Sequence, residues 1–300
     1  MVSEVRFGIA GWQYPDWEGI VYPAKKPRGF EPLELIASMV DAVEINSSFY
    51  SPLSPNSGRK WMRILAPFKE FRFSAKLWQR FTHEKGVWTG AEVLSFRRGL
   101  DPLLDAGLLG ALLCQFPWSF RNTEDNLLRL KKIGDDFKGF PLVVELRHGS
   151  WQDEKFFAWL KKTKIGFANI DQPLFHDSMP PTEIATSKIG YIRLHGRNYK
   201  TWFKKEAETR ERYDYLYPKE ELEEWLPRIR KVAGLCQQMF VIANNHFQGK
   251  ELANALMFKF MCTRKKQRAP QSLIRRYPEL KEFCSALEPQ RELFQQKMTR

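Results

Sequence analysis

Eight short apolar runs alternate with amphipathic stretches over the first 262 residues of the chain. The runs predict strands at residues 5–10, 42–46, 72–76, 109–115, 142–147, 165–171, 189–195 and 239–245. The stretches that follow them predict helices at 32–39, 58–65, 90–103, 125–133, 153–162, 219–236 and 250–260. The Pro-rich segment between 171 and 189 is expected to be a loop. Eight βα units in about 260 residues match a TIM (β/α)8 barrel and exceed one flavodoxin-like sheet.

Polar side chains mark the carboxyl ends of the predicted strands. Successive strand residues point to opposite faces, so one parity faces the outer helices of a barrel and the other faces its lumen. In each strand the polar residues share one parity, which we assign to the lumen: Glu44, Asn46, Ser74, Lys76, Gln115, Glu145, Arg147, Asn169, Asp171, Arg193, His195, Asn244 and His246. A barrel enzyme builds its site at this end, so the pattern predicts one polar site at the carboxyl face.

Composition narrows the classes of protein that the chain can belong to. The 300 residues are 43% apolar, which is enough for one large core. The longest uncharged apolar run, residues 108–116, is about half of a bilayer span, and the first residues do not resemble a secretory signal. Four cysteines without a close pair exclude a CxxC site and favour the reducing cytoplasm. A net charge of +13 favours anionic partners.

Eight segments of the chain resemble the signature blocks of the YecE-like family, catalogued as domain of unknown function 72. The blocks read GIAGWQYPDWEGIVYP, VEINSSFY, FRFSAKL with Thr82 and His83, LLCQFPWSF, VELRHGSW, NIDQP, YIRLHGR and ANNHFQGKELANAL. They follow one another in order from about residue 6 to residue 257. The resemblance implies a TIM barrel that is distantly similar to the xylose-isomerase and endonuclease IV group. It implies no reaction, because the activity of that family is not established.

An anion site is the functional interpretation of the polar lumen. Arg147 and Arg193 can hold a phosphate or carboxylate in bidentate fashion, and Lys76 adds a point charge. Glu145 is the candidate acid or base, with His195 and His246 as the other catalytic candidates. The predicted binding residues are Glu44, Asn46, Lys76, Gln115, Arg147, His148, Trp151, Asp171, Arg193, Asn244 and Asn245.

Two alternatives compete with the anion site. Glu145, Asp171, His195 and His246 are a carboxylate–imidazole set of the type that binds zinc or manganese, although three cations are predicted in the same space. No cofactor is predicted otherwise. Three cations and three carboxylates (Glu44, Glu145 and Asp171) can also pair with one another as a structural plug without a ligand.

The C-terminal segment has a composition of its own. Residues 263–300 carry ten Lys or Arg against four Glu, with short helical patterns, and we predict a partly helical basic extension to a barrel domain of residues 1–262. The cluster RKKQR at 264–268 favours single-stranded nucleic acid as a partner. Aromatic residues in the carboxyl-face loops, such as Trp12, Trp118 and Trp151, pack the loops together or stack a base or sugar.

The sequence therefore predicts a barrel enzyme, a candidate phosphoester hydrolase that uses acid–base catalysis on an anionic substrate. The substrate is a phosphoester or a sugar phosphate, with nucleic acid as the leading candidate. A non-catalytic barrel that binds nucleic acid or another anion is the first alternative, and a sugar isomerase or epimerase is the second.

Overall fold

Eight parallel strands close into a barrel in the computed structural model, which describes residues 4–202, 204 and 209–287. Each strand pairs with the next along the chain, and β8 pairs with β1. The strands are β1 Glu4–Ala10, β2 Ala42–Ile45, β3 Arg72–Lys76, β4 Leu109–Gln115, β5 Leu142–Glu145, β6 Gly166–Asp171, β7 Ile189–Leu194 and β8 Gln238–Ala243. The predicted TIM-barrel fold is confirmed, and each predicted strand end lies within about two residues of the observed one.

Helices connect and surround the strands. They are α1 Pro32–Ala37, α2 Ser47–Tyr50, α3 Pro55–Ile64, α4 Gln79–Thr82, α5 Gly90–Asp105, α6 Glu124–Asp136, α7 Glu154–Thr163, α8 Thr209–Arg212, α9 Lys219–Glu223, α10 Leu226–Ala233, α11 Lys250–Thr263 and α12 Gln271–Arg276. The predicted helix 219–236 is divided into α9 and α10, because Pro227 has no N–H to donate and suits the first turn of a new helix. Thr89 and Glu92 form a capping box that fixes the start of α5. The predicted loop between β6 and β7 is confirmed.

Strand register determines which side chains face the lumen. Arg193 of β7 contacts Glu44 of β2 across the barrel, so both point inward. Ile170 of β6 is in register with Arg193 and shares its face. Asn169 and Asp171 therefore point outward, toward the helices. The predicted parity is wrong for β6, because all six of its residues are buried and polarity alone does not distinguish its two faces.

The lower lumen is filled by packed side chains. The rings of Tyr191 and Phe240 lie 5.8 Å apart, and the hydroxyl groups of Tyr191 and Ser74 are hydrogen-bonded at 2.9 Å. Gly8 leaves room on β1, because a Cβ there would lie 2.8 Å from Cδ1 of Ile242. The polar side chains at the carboxyl face therefore lie directly above a packed layer of side chains and not above an open pore.

The described part of the C-terminal segment packs against the barrel. Strands β9 Gln267–Ala269 and β10 Cys284–Ala286 form a two-stranded parallel sheet beside α11. Leu273 and Leu280 are fully buried in the same core as the barrel residues, and the ring of Phe283 contacts Phe260 of α11 at 5.5 Å. The domain boundary at residue 262 stays a prediction, and residues 288–300 lie outside the described residues.

No helix in the described ranges is both long enough and apolar enough to cross a membrane.

Candidate functional site

Five side chains of alternating charge cross the lumen at the carboxyl ends of the strands. Nζ of Lys76 lies 3.6 Å from Oε1 of Glu44, and Nη2 of Arg193 lies 2.6 Å from the same oxygen. Nη1 of Arg193 reaches Oε2 of Glu145 at 2.8 Å. Oε1 of Glu145 accepts a hydrogen bond from Nε of Arg147 at 2.9 Å. We call Lys76, Glu44, Arg193, Glu145 and Arg147, in this order, the lumen charge chain.

Arg193 is the central member of the lumen charge chain, and all five of its N–H donors are used. Besides the two glutamates, its guanidinium donates to Oε1 of Gln115 at 2.9 Å and to Oδ1 of Asn244 at 3.0 Å. Burial opposes its charge, but Glu145 and Glu44 outweigh burial and raise the pKa of Arg193. Arg193 therefore has no donor left for a ligand, and the predicted bidentate grip by this residue is not available.

The lumen charge chain carries a surplus positive charge. It contains three cations and two carboxylates, because the third carboxylate predicted for the lumen, Asp171, points outward. Burial alone would raise the pKa of Glu145, but Arg193, His195 and Arg147 hold it well below its usual range, so Glu145 is ionised. Both ends of the chain are therefore cations, and these ends are also its most exposed members.

The two end cations keep donors that the described residues do not use. The side chains of Lys76 and Arg147 are 15% and 13% exposed, whereas Glu44, Glu145 and Arg193 are fully buried. Nη2 of Arg147 is buried and has no hydrogen-bond partner in the described part of the chain. Its guanidinium carbon lies 5.9 Å from the ring of Trp202. Arg147 therefore has an N–H donor available to a ligand, close to the ring of Trp202.

His195 lies in the same layer as a neutral imidazole. Its Nε2 is 3.1 Å from Oε1 of Glu145, and burial lowers the pKa of His195 to about 3. Asn244 accepts from Arg193 through Oδ1, so its Nδ2 donates to Nδ1 of the imidazole at 3.0 Å. The remaining proton of His195 is then on Nε2 and faces Glu145. Nδ1 is thus occupied, and Nε2–H is buried beside the carboxylate without a well-aligned hydrogen bond in the described ranges, so neither ring nitrogen is placed to take a proton.

The rim of the site is formed by residues that follow β1, β2 and β8. Nδ2 of Asn46 donates to the carbonyl of Ala10 at 2.8 Å, and its Oδ1 is buried without a partner in the described ranges. The ring of His246 stacks on Tyr14 at 4.7 Å, and burial lowers the pKa of His246. The ring of Tyr213 lies 5.4 Å from His246. His246 is thus a neutral, half-buried imidazole between two tyrosines.

Asp171 belongs to a different cluster, outside the lumen. Its Oδ2 accepts from Nη2 of Arg197 at 2.8 Å and from the indole N–H of Trp225, the N-cap residue of α10, at 2.6 Å. Arg197 also reaches Glu224 at 2.7 Å. The prediction that Asp171 shares the lumen is wrong, and the balanced plug of three cations and three carboxylates is not formed. We call Asp171, Arg197, Trp225 and Glu224 the outer cluster.

Three further predicted binding residues hold loops in place. Trp151 is fully buried, donates from its indole N–H to the carbonyl of Phe120 at 2.7 Å and stacks on that ring. Nδ1 of His148 accepts from the backbone N–H of Ser150 at 3.1 Å. Asn245 donates to a side-chain oxygen of α11 at 2.8 Å. These contacts give the three residues a role in holding the loops, and a ligand contact by any of them stays a prediction; Nε2 of His148 and Oδ1 of Asn245 are buried without a partner in the described ranges.

The candidate metal ligands are not assembled. Glu145 and His195 are neighbours, but Asp171 points away from both. Within residues 4–202, 204 and 209–287, no group of three or more His, Cys, Asp or Glu side chains is placed to hold a metal ion. The donor set present at the lumen therefore does not fit the proposed zinc or manganese site.

Sequence reasoning missed several residues of the site. Trp202 and Tyr213 follow β7, and their rings lie 6.1 and 6.3 Å from that of His195. They lie in a long connection without strand periodicity, so no pattern marks them. Tyr191 lies on the inward parity of β7 and donates to Glu44 at 2.9 Å, and that parity would have identified it.

Glu251 on α11 is a second residue that the sequence did not single out. Its Oε2 accepts from the backbone N–H of Ala10 at 3.2 Å, and its Oε1 is buried without a partner in the described ranges. Burial raises the pKa of Glu251 well above its usual range, with a further contribution from Glu44. The sequence does not show whether a glutamate on a helix faces the solvent or the core. Only the packing of α11 identifies Glu251 as a buried, neutral acid.

Comparisons with known proteins agree on one family. Residues 6–279 match the family described as "Protein of unknown function DUF72". The chain is 27% identical over 264 residues to the UPF0759 protein YunF of Bacillus subtilis, an alignment that covers 83% of this chain and 92% of YunF. A crystal structure of a DUF72 family protein from Thermotoga maritima is similar with a TM-score of 0.74 and 31% identity, covering 86% of this chain and 99% of that one. A second, from Enterococcus faecalis, has a TM-score of 0.74 at 24% identity, covering 85% and 94%, and supports the fold.

Proposed function

The chain belongs to the DUF72 family, whose description assigns no reaction, and from this premise we propose that its barrel binds a small phosphorylated or otherwise anionic ligand at the Arg147 end of the lumen charge chain. One observation carries the proposal. The lumen charge chain has one more cation than carboxylates, and the guanidinium at its Arg147 end has a buried N–H without an acceptor among the described residues. A phosphate oxygen would supply both the missing charge and the missing acceptor.

The physical cost of the empty arrangement supports the same conclusion. A buried donor without a partner costs about 1–3 kcal/mol, and more when the group is charged. A cluster that served only stability would gain nothing from a buried N–H that is left without an acceptor. The rim adds a second unpartnered atom, Oδ1 of Asn46, which can accept from a ligand hydroxyl group. A sugar phosphate combines these two chemistries in one molecule.

The acid–base part of the sequence hypothesis is supported less well than the anion site. Glu145 is held as a carboxylate by three neighbours, so it does not act as an acid near neutral pH. His195 has one nitrogen facing Asn244 and the other facing Glu145. His246 is the remaining imidazole of the three predicted catalytic residues. We therefore propose anion binding as the core of the function and treat Glu145 and His195 as positioning residues.

The test measures binding of inorganic phosphate, glucose 6-phosphate and glucose by isothermal titration calorimetry. We expect the phosphorylated sugar to bind and glucose to bind at least tenfold more weakly. Arg147→Met should weaken glucose 6-phosphate at least tenfold, since one charge-assisted hydrogen bond is worth about 1.5–3 kcal/mol. The matched control is Arg72→Met. Arg72 lies at the amino end of β3, away from the carboxyl face, and its guanidinium donates to backbone carbonyls. Equal affinity in all three proteins, or no binding by wild type, would contradict the proposal.

We also propose a reducing compartment, the cytoplasm, as the location of the protein. Its four cysteines lie in the described ranges and form no disulfide there, and Cys114 and Cys284 are buried. Burial raises the pKa of the Cys284 thiol to about 12, which keeps this residue in its unreactive form. Fractionation of cells that produce the native protein tests this assignment.

A further inference from the structure

We infer that Lys76, at the other end of the lumen charge chain, is a nucleophilic amine that condenses with the carbonyl carbon of a phosphorylated aldehyde or ketone. The inference rests on the proposed anion site, because Arg147 would hold the phosphate while the carbonyl group lies toward Lys76. It narrows the substrate class from phosphorylated ligands in general to those that carry a carbonyl group.

The carboxylate beside Lys76 is already occupied. Glu44 receives two hydrogen bonds from Arg193, at 2.6 and 3.0 Å, and a third from the hydroxyl group of Tyr191 at 2.9 Å. Lys76 lies 3.6 Å from Glu44, beyond hydrogen-bond distance, and its Nζ makes no hydrogen bond within the described part of the chain. The amine is therefore near a counter-ion that is committed to other donors.

The surroundings of Lys76 also disfavour its positive charge. Nη2 of Arg193 contacts the same oxygen of Glu44, which places this cation within about 6 Å of Nζ. Burial and the charge of Arg193 lower the pKa of Lys76 to about 8. At pH 7 roughly one molecule in ten then carries the neutral, nucleophilic amine, compared with fewer than about one in a thousand for an ordinary lysine.

Lys76 also has access to a ligand. It is the last residue of β3, its side chain points into the lumen, and 15% of that side chain is exposed at the carboxyl face. The ring of Phe49 lies 5.8 Å from Nζ and provides an apolar side to the space. Lys259 offers a contrast, because its ammonium donates to Asp41 at 2.7 Å and to a backbone carbonyl at 3.3 Å. The two lysines differ in whether their nitrogen is held by acceptors.

The condensation balances without a further reactant. The lone pair of Nζ forms the C–N bond while the carbonyl π electrons move to oxygen, and proton transfer from nitrogen to oxygen gives a carbinolamine. The C–O bond then breaks, and the hydroxyl group leaves with the second nitrogen proton as water, which gives the imine. The protonated imine is a cation in the position of the former ammonium, so it keeps Glu44 as its counter-ion.

The experiment traps the imine in the full-length protein. Wild type is incubated with dihydroxyacetone phosphate and reduced with sodium borohydride, and the adduct is located by peptide mass spectrometry. We expect one dominant adduct on Lys76, with a trapping yield that rises with pH around 8 and falls at least tenfold when excess inorganic phosphate is added. Lys76→Arg, which keeps the charge, should abolish this adduct, and Lys259→Met should leave it unchanged.

Binding of the same probe, measured by calorimetry without borohydride, separates the two proposals. Binding without an adduct on Lys76 would overturn the imine and leave the anion site in place. An adduct on Lys76 that is insensitive to phosphate and to Arg147→Met would support the amine and overturn the anion site. Adducts spread over surface lysines, unchanged by Lys76→Arg, would overturn the inference that Lys76 is nucleophilic.

Discussion

Two clusters of arginine and carboxylate lie near the carboxyl face, and they differ in whether their hydrogen bonds are complete. In the outer cluster, Asp171 is paired with Arg197 and Trp225, and Arg197 continues to Glu224, which is 55% exposed. The lumen charge chain instead ends in Arg147, with a buried N–H that has no acceptor in the described ranges. We call the outer cluster closed, because its charged groups are paired with one another, and the lumen charge chain open, because one buried donor in it has no acceptor in the described ranges.

This difference separates a structural role from a binding role. A closed cluster fixes two elements relative to each other, and here Asp171 ties β6 to α10 through the indole of Trp225. An open cluster keeps an unfavourable charge distribution that a ligand can correct. The stability of the two clusters should therefore respond differently to an added anion.

The largest effect is expected for Glu145→Gln in the lumen charge chain. The variant leaves Arg193 and Arg147 without their shared carboxylate, so we expect the free energy of unfolding to fall by about 3–5 kcal/mol. Phosphate at about 100 times its dissociation constant should restore about 2.7 kcal/mol of this loss. Urea unfolding with and without phosphate measures both quantities. An increase in the stability of Glu145→Gln over wild type would instead identify the lumen charge chain as a structural plug.

A smaller loss is expected for Asp171→Asn in the outer cluster. The variant keeps an acceptor for Trp225 but removes the charge that faces Arg197, and the partial exposure of Arg197 limits the loss to about 2 kcal/mol. Phosphate should stabilise this variant and wild type by the same amount, because the lumen charge chain is intact in both, so the difference of about 2 kcal/mol between them should remain. If phosphate reduced the difference from wild type as much for Asp171→Asn as for Glu145→Gln, the distinction between an open and a closed cluster would be lost.

Glu251→Gln sharpens the comparison with a carboxyl group that has no cation partner. The folded state keeps the proton of Glu251 at a pH where the unfolded chain has lost it, so wild-type stability falls as pH rises above the ordinary carboxyl pKa. The glutamine variant lacks this loss. We expect its stability relative to wild type to increase with pH above the ordinary carboxyl pKa, by up to about 1.4 kcal/mol per pH unit, as measured by urea unfolding. A difference that is independent of pH would show that Glu251 is ionised in the folded protein.

The smallest effect is expected outside the barrel, at the basic C-terminal segment. We propose sequence-independent binding of single-stranded DNA or RNA, with a salt slope of about 0.7 per phosphate contact. Lys265, Arg268 and Arg275 are exposed, and changing all three to Gln should weaken binding in fluorescence anisotropy. This variant is preferable to deleting residues 263–300, because deletion would remove Leu273 and Leu280 from the core. Weakening by Arg147→Met instead would assign nucleic acid to the lumen.

Most of the fold could be predicted because its signals are local. Each strand carries its own apolar run and each turn its own breaker, so the eight spans follow from short windows of sequence. Pro227 shows the limit of such local signals. The helical pattern of residues 219–236 continues through it, so the pattern alone does not show that Pro227 lies in the first turn of a new helix. The barrel itself followed from the number of units and from the family resemblance.

The site could be predicted only where strand parity determines direction. Parity correctly placed Glu44, Lys76, Glu145 and Arg193 in the lumen, because their apolar neighbours mark the opposite face. It failed for Asp171, because β6 is buried on both faces. Residues such as Trp202 lie beyond the strands, where the backbone path sets their position and no periodicity reports it.

The pairing of β1 with β8 gives the chain an order of assembly. Glu4 is in register with Gln238, so one edge of β1 has no strand partner until almost the whole barrel has been synthesised. At about 5–20 residues per second, this delay is roughly 10–50 s on the ribosome. A nascent chain that ends before Gln238 can form the six strand pairings that do not involve β8, yet it exposes two strand edges and lacks Asn244 and His246. The two pairings of β8 that close the lumen are therefore the last strand pairings of the barrel that translation makes possible, and the proposed anion site is complete only after they form.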